Sequence, residues 1–168
     1  MSPTEWLNHF APGFEHLSSD ERDAIRDFSL LWSFFESGLP DRTANVRAII
    51  ALVDRLAEQN QIDLDPFQQP IQHFRNRYCA DGELTPAFNG LQIGRNSRLR
   101  SLVEEFVRDE ACTETAILRA LLLITYRLRN NLFHGAKWRY SFRDQLENFE
   151  NANGVLMEVM SVPSFLSR

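Results

Sequence analysis

The sequence predicts an all-α protein, a single bundle of about five or six helices. Apolar residues recur at spacings of three and four through most of the chain, as on one face of a helix. No stretch shows the period-two alternation of β-branched residues that is typical of strands. The chain has 168 residues, of which 43% are hydrophobic and 24% charged. That size and composition fit one globular domain with its own core.

Residues 1–17 predict an irregular N-terminal arm, and residues 18–168 a helical domain. The arm mixes aromatic residues with prolines and a glycine, which disfavour a regular helix. Ser18 and Glu21 then stand at the spacing of a capping box, which marks the start of a helix. This first helix carries a wide apolar face and ends before Gly38.

The middle of the chain predicts two more helices and a long loop. A second helix is expected from Asp41 to Gln59, because its apolar residues keep helical spacing. A third helix begins either at Pro66 or near Pro70, since proline is favoured in a first helical turn, and continues to Tyr78. Residues 79–95 contain one proline and three glycines, so we interpret them as a loop.

Three helices are expected in the C-terminal half. Asn96 is predicted to cap the first, and Thr113 the second. The second is apolar on nearly every side, which places it at the centre of the fold, and Gly135 stands where a helix-ending residue is expected. A last helix is expected from about Ser141.

The charge of the chain is unevenly distributed. A formal net charge of −5 excludes a surface that is basic throughout. Residues 115–143 nevertheless contain six Lys or Arg residues and neither Asp nor Glu. We interpret Arg119 as a solvated mid-helix charge. The basic residues from 127 to 143 are either a solvated face or a local anion site.

A cluster that can bind an anion and move a proton directly follows the most apolar helix. Arg129 presents a planar guanidinium that suits phosphate oxygens. His134 can exchange a proton near neutral pH, and Asn130 can orient the imidazole or bind phosphate. Cleavage of RNA by its own 2′-hydroxyl needs a base, an acid and cationic stabilisation of the phosphate. The cluster contains side chains suited to those roles.

The spacing within the cluster sets a geometric constraint. Asn130 and His134 are about 40° apart around an ideal helix, whereas Arg129 is about 140° from His134. A straight helix therefore does not direct Arg129 and His134 to one small target. Convergence requires the reach of the arginine, a distorted last turn near Gly135, or a second subunit.

The segment Arg129-Asn130-Asn131-Leu132-Phe133-His134 resembles the signature of the HEPN superfamily. That signature is an arginine, a polar residue directly after it, and a histidine after four to six intervening residues. Its position at the end of an apolar helix, and the aromatic-rich first helix around Trp32, add to the resemblance.

The resemblance implies an HEPN-like bundle and a metal-independent endoribonuclease of toxin–antitoxin or antiviral defence type. Arg129, Asn130 and His134 would then be catalytic, and neither a metal nor a cofactor is expected. Two protomers of this family commonly meet at the motif helices and share one cleft. The implied partners are therefore RNA, a second copy of the chain, and an unfused antitoxin or regulatory partner.

Residues around the motif are expected to assist it. Lys137 and Arg139 contact the RNA backbone or form a solvated basic face, and Tyr126 either lines the cleft or packs. Glu36 is expected to pair with Arg129 and hold its guanidinium in place.

Two other functions remain open at this point. The chain is a non-catalytic RNA- or nucleotide-binding regulatory module, or a structural helical dimer in which Arg129 and Asn130 form a buried polar network. The two cysteines form neither a disulfide framework nor a metal cluster. With no signal peptide and no apolar run of the ~20 residues that a membrane helix needs, a cytoplasmic protein without a membrane partner is expected.

Overall fold

A computed structural model of the chain describes residues 1–94, 97–109, 111–133 and 145–166. Its α-helices are α1 Pro3–Phe10, α2 Ser19–Ser37, α3 Val46–Glu58, α4 Gln68–Tyr78, α5 Pro86–Asn89, α6 Arg98–Arg108, α7 Glu114–Phe133, α8 Leu146–Ser161 and α9 Pro163–Leu166. Short 3₁₀ turns are Phe14–His16, Pro40–Arg42 and Asp65–Phe67, and a two-stranded antiparallel hairpin joins β1 Cys79–Ala80 to β2 Glu83–Leu84.

Helix α7 lies at the centre of the bundle, as its sequence predicts. It packs against α3, α6, α8 and α4, while α8 packs mainly against α2. The buried residues of α7 lie on all sides of the helix: Ile117, Leu118, Ala120, Leu121, Leu122, Leu123, Ile124, Thr125, Leu128, Asn130, Asn131 and Leu132. The all-α class is therefore confirmed, and the polar residues at the end of α7 belong to the element with the deepest burial.

Two predicted helix starts are confirmed by their hydrogen bonds. The Ser18 hydroxyl accepts from the Glu21 N–H at 3.2 Å, and the Glu21 carboxylate accepts from the Ser18 N–H at 2.8 Å. The Thr113 hydroxyl accepts from the Ala116 N–H at 3.2 Å. Such reciprocal or single caps satisfy N–H groups that have no partner within the helix.

The N-terminal arm is helical over part of its length. Helix α1 begins with a second capping box, in which Ser2 and Glu5 bond each other's backbone N–H groups. An irregular arm was predicted because prolines disfavour a helix, but Pro3 lies in the first turn of α1, where a proline is tolerated. None of the residues of α1 is buried.

The second predicted helix begins later than expected. Helix α3 starts at Val46, because Asn45 caps it by accepting from the Ala48 N–H at 2.9 Å. Asp41 and Arg42 have φ values of 59° and 49°, which are incompatible with a right-handed helix. The expected start at Asp41 was therefore wrong.

The predicted 79–95 loop contains structure of its own. The β1–β2 hairpin turns at Asp81 and Gly82, both at positive φ, and α5 follows. Ser97 caps α6 by accepting from the Arg100 N–H at 3.2 Å. The predicted cap Asn96 lies outside the described residues, as do Gly135 and the expected helix start at Ser141.

The described residues contain nine α-helices rather than five or six. The difference comes from α1 in the arm and from the four-residue helices α5 and α9, which carry too short an apolar pattern to be read from periodicity. None of the helices in the described ranges is long and apolar enough to cross a membrane.

Candidate anion site at the end of helix α7

The last two turns of α7 carry the described members of the predicted site. Tyr126, Arg129 and Asn130 lie on this helix. The predicted residues His134, Lys137 and Arg139 lie outside the described residues. The geometry of the site is therefore that of its arginine and asparagine and of the side chains around them.

Side chains on one face of this helix end hydrogen-bond the backbone of a neighbouring turn. The Arg127 guanidinium donates to the Leu91 carbonyl at 2.9 Å through Nε and to the Gln92 carbonyl at 3.0 Å through Nη2. The Asn131 amide donates to the Gly90 carbonyl at 2.9 Å. Because backbone acceptors occupy Arg127, and burial lowers the pKa of its guanidinium, we assign this face to the fold.

Arg129 and Asn130, in contrast, contact each other. The Arg129 Nη1 donates to the Asn130 Oδ1 at 3.2 Å. Asn130 is buried, with 8% of its surface exposed. Bonding through Oδ1 orients the amide, and no described residue accepts from its two N–H donors, which suit an acceptor such as a phosphate oxygen. The reach of the arginine therefore brings together two side chains that an ideal helix separates.

Helix α2 supplies the surroundings of Arg129. The Glu36 Oε2 lies 3.9 Å from the Arg129 Nη2, and the Glu36 Oε1 accepts from the Ala44 N–H at 2.9 Å. The guanidinium carbon lies 6.0 Å from the Trp32 ring centroid and 5.1 Å from that of Phe133. The predicted Glu36–Arg129 pair is thus present as a long ion pair, and two rings further restrict the guanidinium.

Arg129 is nevertheless accessible to a ligand. Its side chain is 28% exposed, while its buried Nε has no hydrogen-bond partner among the described residues. A guanidinium that is held by a carboxylate, an amide and two rings loses little further freedom when it binds phosphate. It is a preorganised cation with part of its surface open.

The acid-free segment divides its described arginines between different partners. Arg119 pairs with Asp54 on α3, so it is not the solvated charge that its mid-helix position suggested. Arg127 is bonded to carbonyls. Arg119 and Arg129 are about equally exposed, at 27% and 28%, but the ion pair of Arg129 is the longer one, at 3.9 Å, which favours Arg129 as the ligand-binding cation.

The aromatic residues at the site have separate environments. The Tyr126 ring lies 6.1 Å from the Trp32 ring at an interplanar angle of 35°, so Tyr126 packs against the helix that supports Arg129. Phe133 is 55% exposed, although it is apolar and directly precedes His134. Sequence reasoning did not select Phe133. Its signal would have been an apolar residue next to the motif and off the buried stripe of α7.

In the part of the chain that the structure describes, no group of three or more His, Cys, Asp or Glu side chains is placed to hold a metal ion.

Comparisons of the chain with family models, with curated proteins and with solved structures find no match.

Proposed function

We propose that the chain is an HEPN-like, metal-independent endoribonuclease that acts as a homodimer in a cytoplasmic toxin–antitoxin or defence system. The observation that carries the proposal is the preorganised Arg129 guanidinium. It is bonded to Asn130, restrained by Glu36 and by ring contacts, partly exposed, and five residues before a histidine.

The proposed chemistry is transesterification by the 2′-hydroxyl of the RNA. His134 takes or gives a proton at the reacting oxygens. Arg129 stabilises the additional negative charge that develops on the phosphate in the transition state, and Asn130 donates a hydrogen bond to the phosphate or to the imidazole. Tyr126, Lys137 and Arg139 are the further residues that we propose to contact RNA.

A second protomer would complete the site. Phe133 exposes an apolar ring next to the motif, and burying such a ring against a partner gains hydrophobic free energy. A homodimer at this helix end also supplies a second histidine. That arrangement removes the constraint that Arg129 and His134 of one helix do not aim at the same point.

The direct test incubates purified protein with total RNA in EDTA, beside the His134→Ala variant. We expect cleavage by the wild type alone, with the folded dimer retained in the variant. Equal cleavage by both proteins would contradict the assignment of His134.

The same assay separates the second candidate function, a non-catalytic RNA- or nucleotide-binding module. Such a module gives no product with either protein. It binds RNA with an affinity that falls as salt rises and that requires Arg129. The Glu36 carboxylate, 3.9 Å from the Arg129 guanidinium, favours this alternative, because it offsets part of the positive charge that a transition state would use.

A further inference from the structure

A pocket of about 490 Å³ lies where the α2–α3 connection meets α3 and α9. Its walls combine the end of α2, the 3₁₀ turn Pro40–Arg42, one side chain of α3 and an aromatic ring of α9. The lining residues are Ser37, Gly38, Leu39, Pro40, Asp41, Arg42, Arg55 and Phe165. This volume lies within the range of small-molecule sites and exceeds what a single ion needs.

Two arginines line this pocket without any described partner. Arg42 is exposed and Arg55 is half-buried, and among the described residues neither guanidinium makes a hydrogen bond or an ion pair. The Arg55 Nε is moreover buried without an acceptor. A half-buried guanidinium usually finds acceptors, because burying its donors unpaired costs free energy.

Arg55 differs from other arginines whose Nε is buried without an acceptor. Arg22, Arg119 and Arg129 also bury an Nε without an acceptor. Each of them engages an oxygen through its terminal nitrogens. Arg55 does not do so within the described part of the chain, and it is therefore a cation whose acceptors an incoming ligand can supply.

The backbone beside the pocket is strained. Asp41 and Arg42 are consecutive non-glycine residues at φ values of 59° and 49°. A left-handed conformation is unfavourable for an L-residue. Such strain concentrates at ligand sites. Here it keeps Arg42 in a tight turn at the rim instead of extending α3 toward α2, which is what the sequence pattern favours.

We propose that this pocket binds a small ligand through a phosphate group, held by the guanidiniums of Arg42 and Arg55. Two guanidiniums offer paired donors to tetrahedral phosphate oxygens. Asp41 lowers the formal charge of the lining to +1, which favours a single phosphate over a polyphosphate. The Phe165 ring, stacked on Phe35 at 5.6 Å, supplies an apolar wall for the remainder of the ligand.

This site is distinct from the anion site on α7. Among the described residues, none that lines the pocket makes a hydrogen bond, an ion pair or a ring contact with Arg129, and Arg129 does not line it. We therefore expect the phosphate affinity of the pocket to depend on Arg42 and Arg55. It should depend neither on Arg129 nor on any ribonuclease activity.

The test titrates the full chain with inorganic phosphate at constant ionic strength and follows binding by isothermal titration calorimetry. We expect saturable binding that weakens roughly tenfold or more in Arg55→Gln and in Arg42→Gln, because each loses charge-assisted hydrogen bonds. Arg47→Gln is the matched control, since Arg47 is exposed on the same helix as Arg55 and does not line the pocket. Arg129→Lys is the control for the α7 site.

Affinity unchanged in Arg47→Gln, with loss in the two pocket variants, supports the proposal, and Arg129→Lys separates any phosphate bound at the α7 site from phosphate bound at the pocket. Arg42 is exposed, so its variant keeps the test valid if Arg55→Gln does not fold. The proposal is overturned if wild-type binding is not saturable, if both pocket variants bind like the wild type, or if Arg129→Lys alone removes binding.

Discussion

Arg127 and Arg129 lie two residues apart on α7, and the structure gives them different surroundings. Arg127 donates to two backbone carbonyls of the turn after α5, next to an asparagine that bonds a third. Arg129 meets a carboxylate at 3.9 Å, one amide and the faces of two rings. Two arginines in one basic cluster therefore separate into one that holds the fold and one that is available to a ligand.

The difference follows from which acceptors each side chain meets. Arg127 bonds the Leu91 and Gln92 carbonyls through two nitrogens, so its guanidinium is fixed in place, and its removal leaves the part-buried Leu91 carbonyl without this donor. The Glu36 carboxylate depends less on Arg129, because it also accepts from the Ala44 N–H and is partly exposed to water.

Arg127→Met is expected to lower the free energy of unfolding by about 3 kcal/mol. The variant keeps apolar contacts but removes a part-buried charge-assisted hydrogen bond to the Leu91 carbonyl, which contributes roughly 1.5–3 kcal/mol, and an exposed one to the Gln92 carbonyl, which contributes less. Urea denaturation at neutral pH measures the loss. A change below about 0.5 kcal/mol would mean that water replaces Arg127 and that this face does not hold the fold.

Asn131→Ala is expected to lower the free energy of unfolding by about 1–2 kcal/mol, because the Gly90 carbonyl loses its donor. Asn131 itself is only 2% exposed. Asn130→Ala is the matched control, since it is the same change one residue earlier. We expect Asn130→Ala to cost less than about 1 kcal/mol, because its described partner is the partly exposed Arg129. Equal losses of stability would remove the distinction between the two faces.

Glu36→Gln is expected to have the smallest effect on stability, below about 1 kcal/mol, because a partly exposed ion pair contributes little. The amide oxygen can still accept from the Ala44 N–H, so the variant changes the partner of Arg129 and retains the support of the loop. In a cleavage assay we expect the turnover rate to fall about threefold to tenfold through poorer positioning. Glu36→Ala, which also loses the Ala44 bond, should be less stable than Glu36→Gln.

The sequence was sufficient for the starts of α2 and α7. The capping box of Ser18 and Glu21 and the cap at Thr113 are local, so they could be assigned from spacing alone, whereas the same box at Ser2 and Glu5 was missed. The central position of α7 followed from its lack of a polar face. The start of α3 was missed although Asn45 is a typical cap residue, because neither residue of the left-handed turn at Asp41 and Arg42 is a glycine that would signal it.

The candidate site was predictable as a set of residue types but not as a geometry. The cationic cluster and the Glu36–Arg129 pair could be expected from charge and motif. The division between Arg127 and Arg129 could not, because it depends on where the turn after α5 packs, more than thirty residues away in sequence. The roles of His134, Lys137 and Arg139 remain predictions from the sequence.

The measurement that tests the central claim most directly compares RNA cleavage by Arg129→Lys and Arg127→Lys in EDTA, with each rate expressed per folded molecule. Lysine keeps the charge but loses the planar set of donors, so the comparison isolates the guanidinium. The account predicts that Arg129→Lys loses roughly 100-fold or more of the wild-type rate, as when a transition-state donor is removed. Arg127→Lys should retain the wild-type rate while being less stable. Equal losses of activity in the two variants, or full activity in Arg129→Lys, would contradict the account.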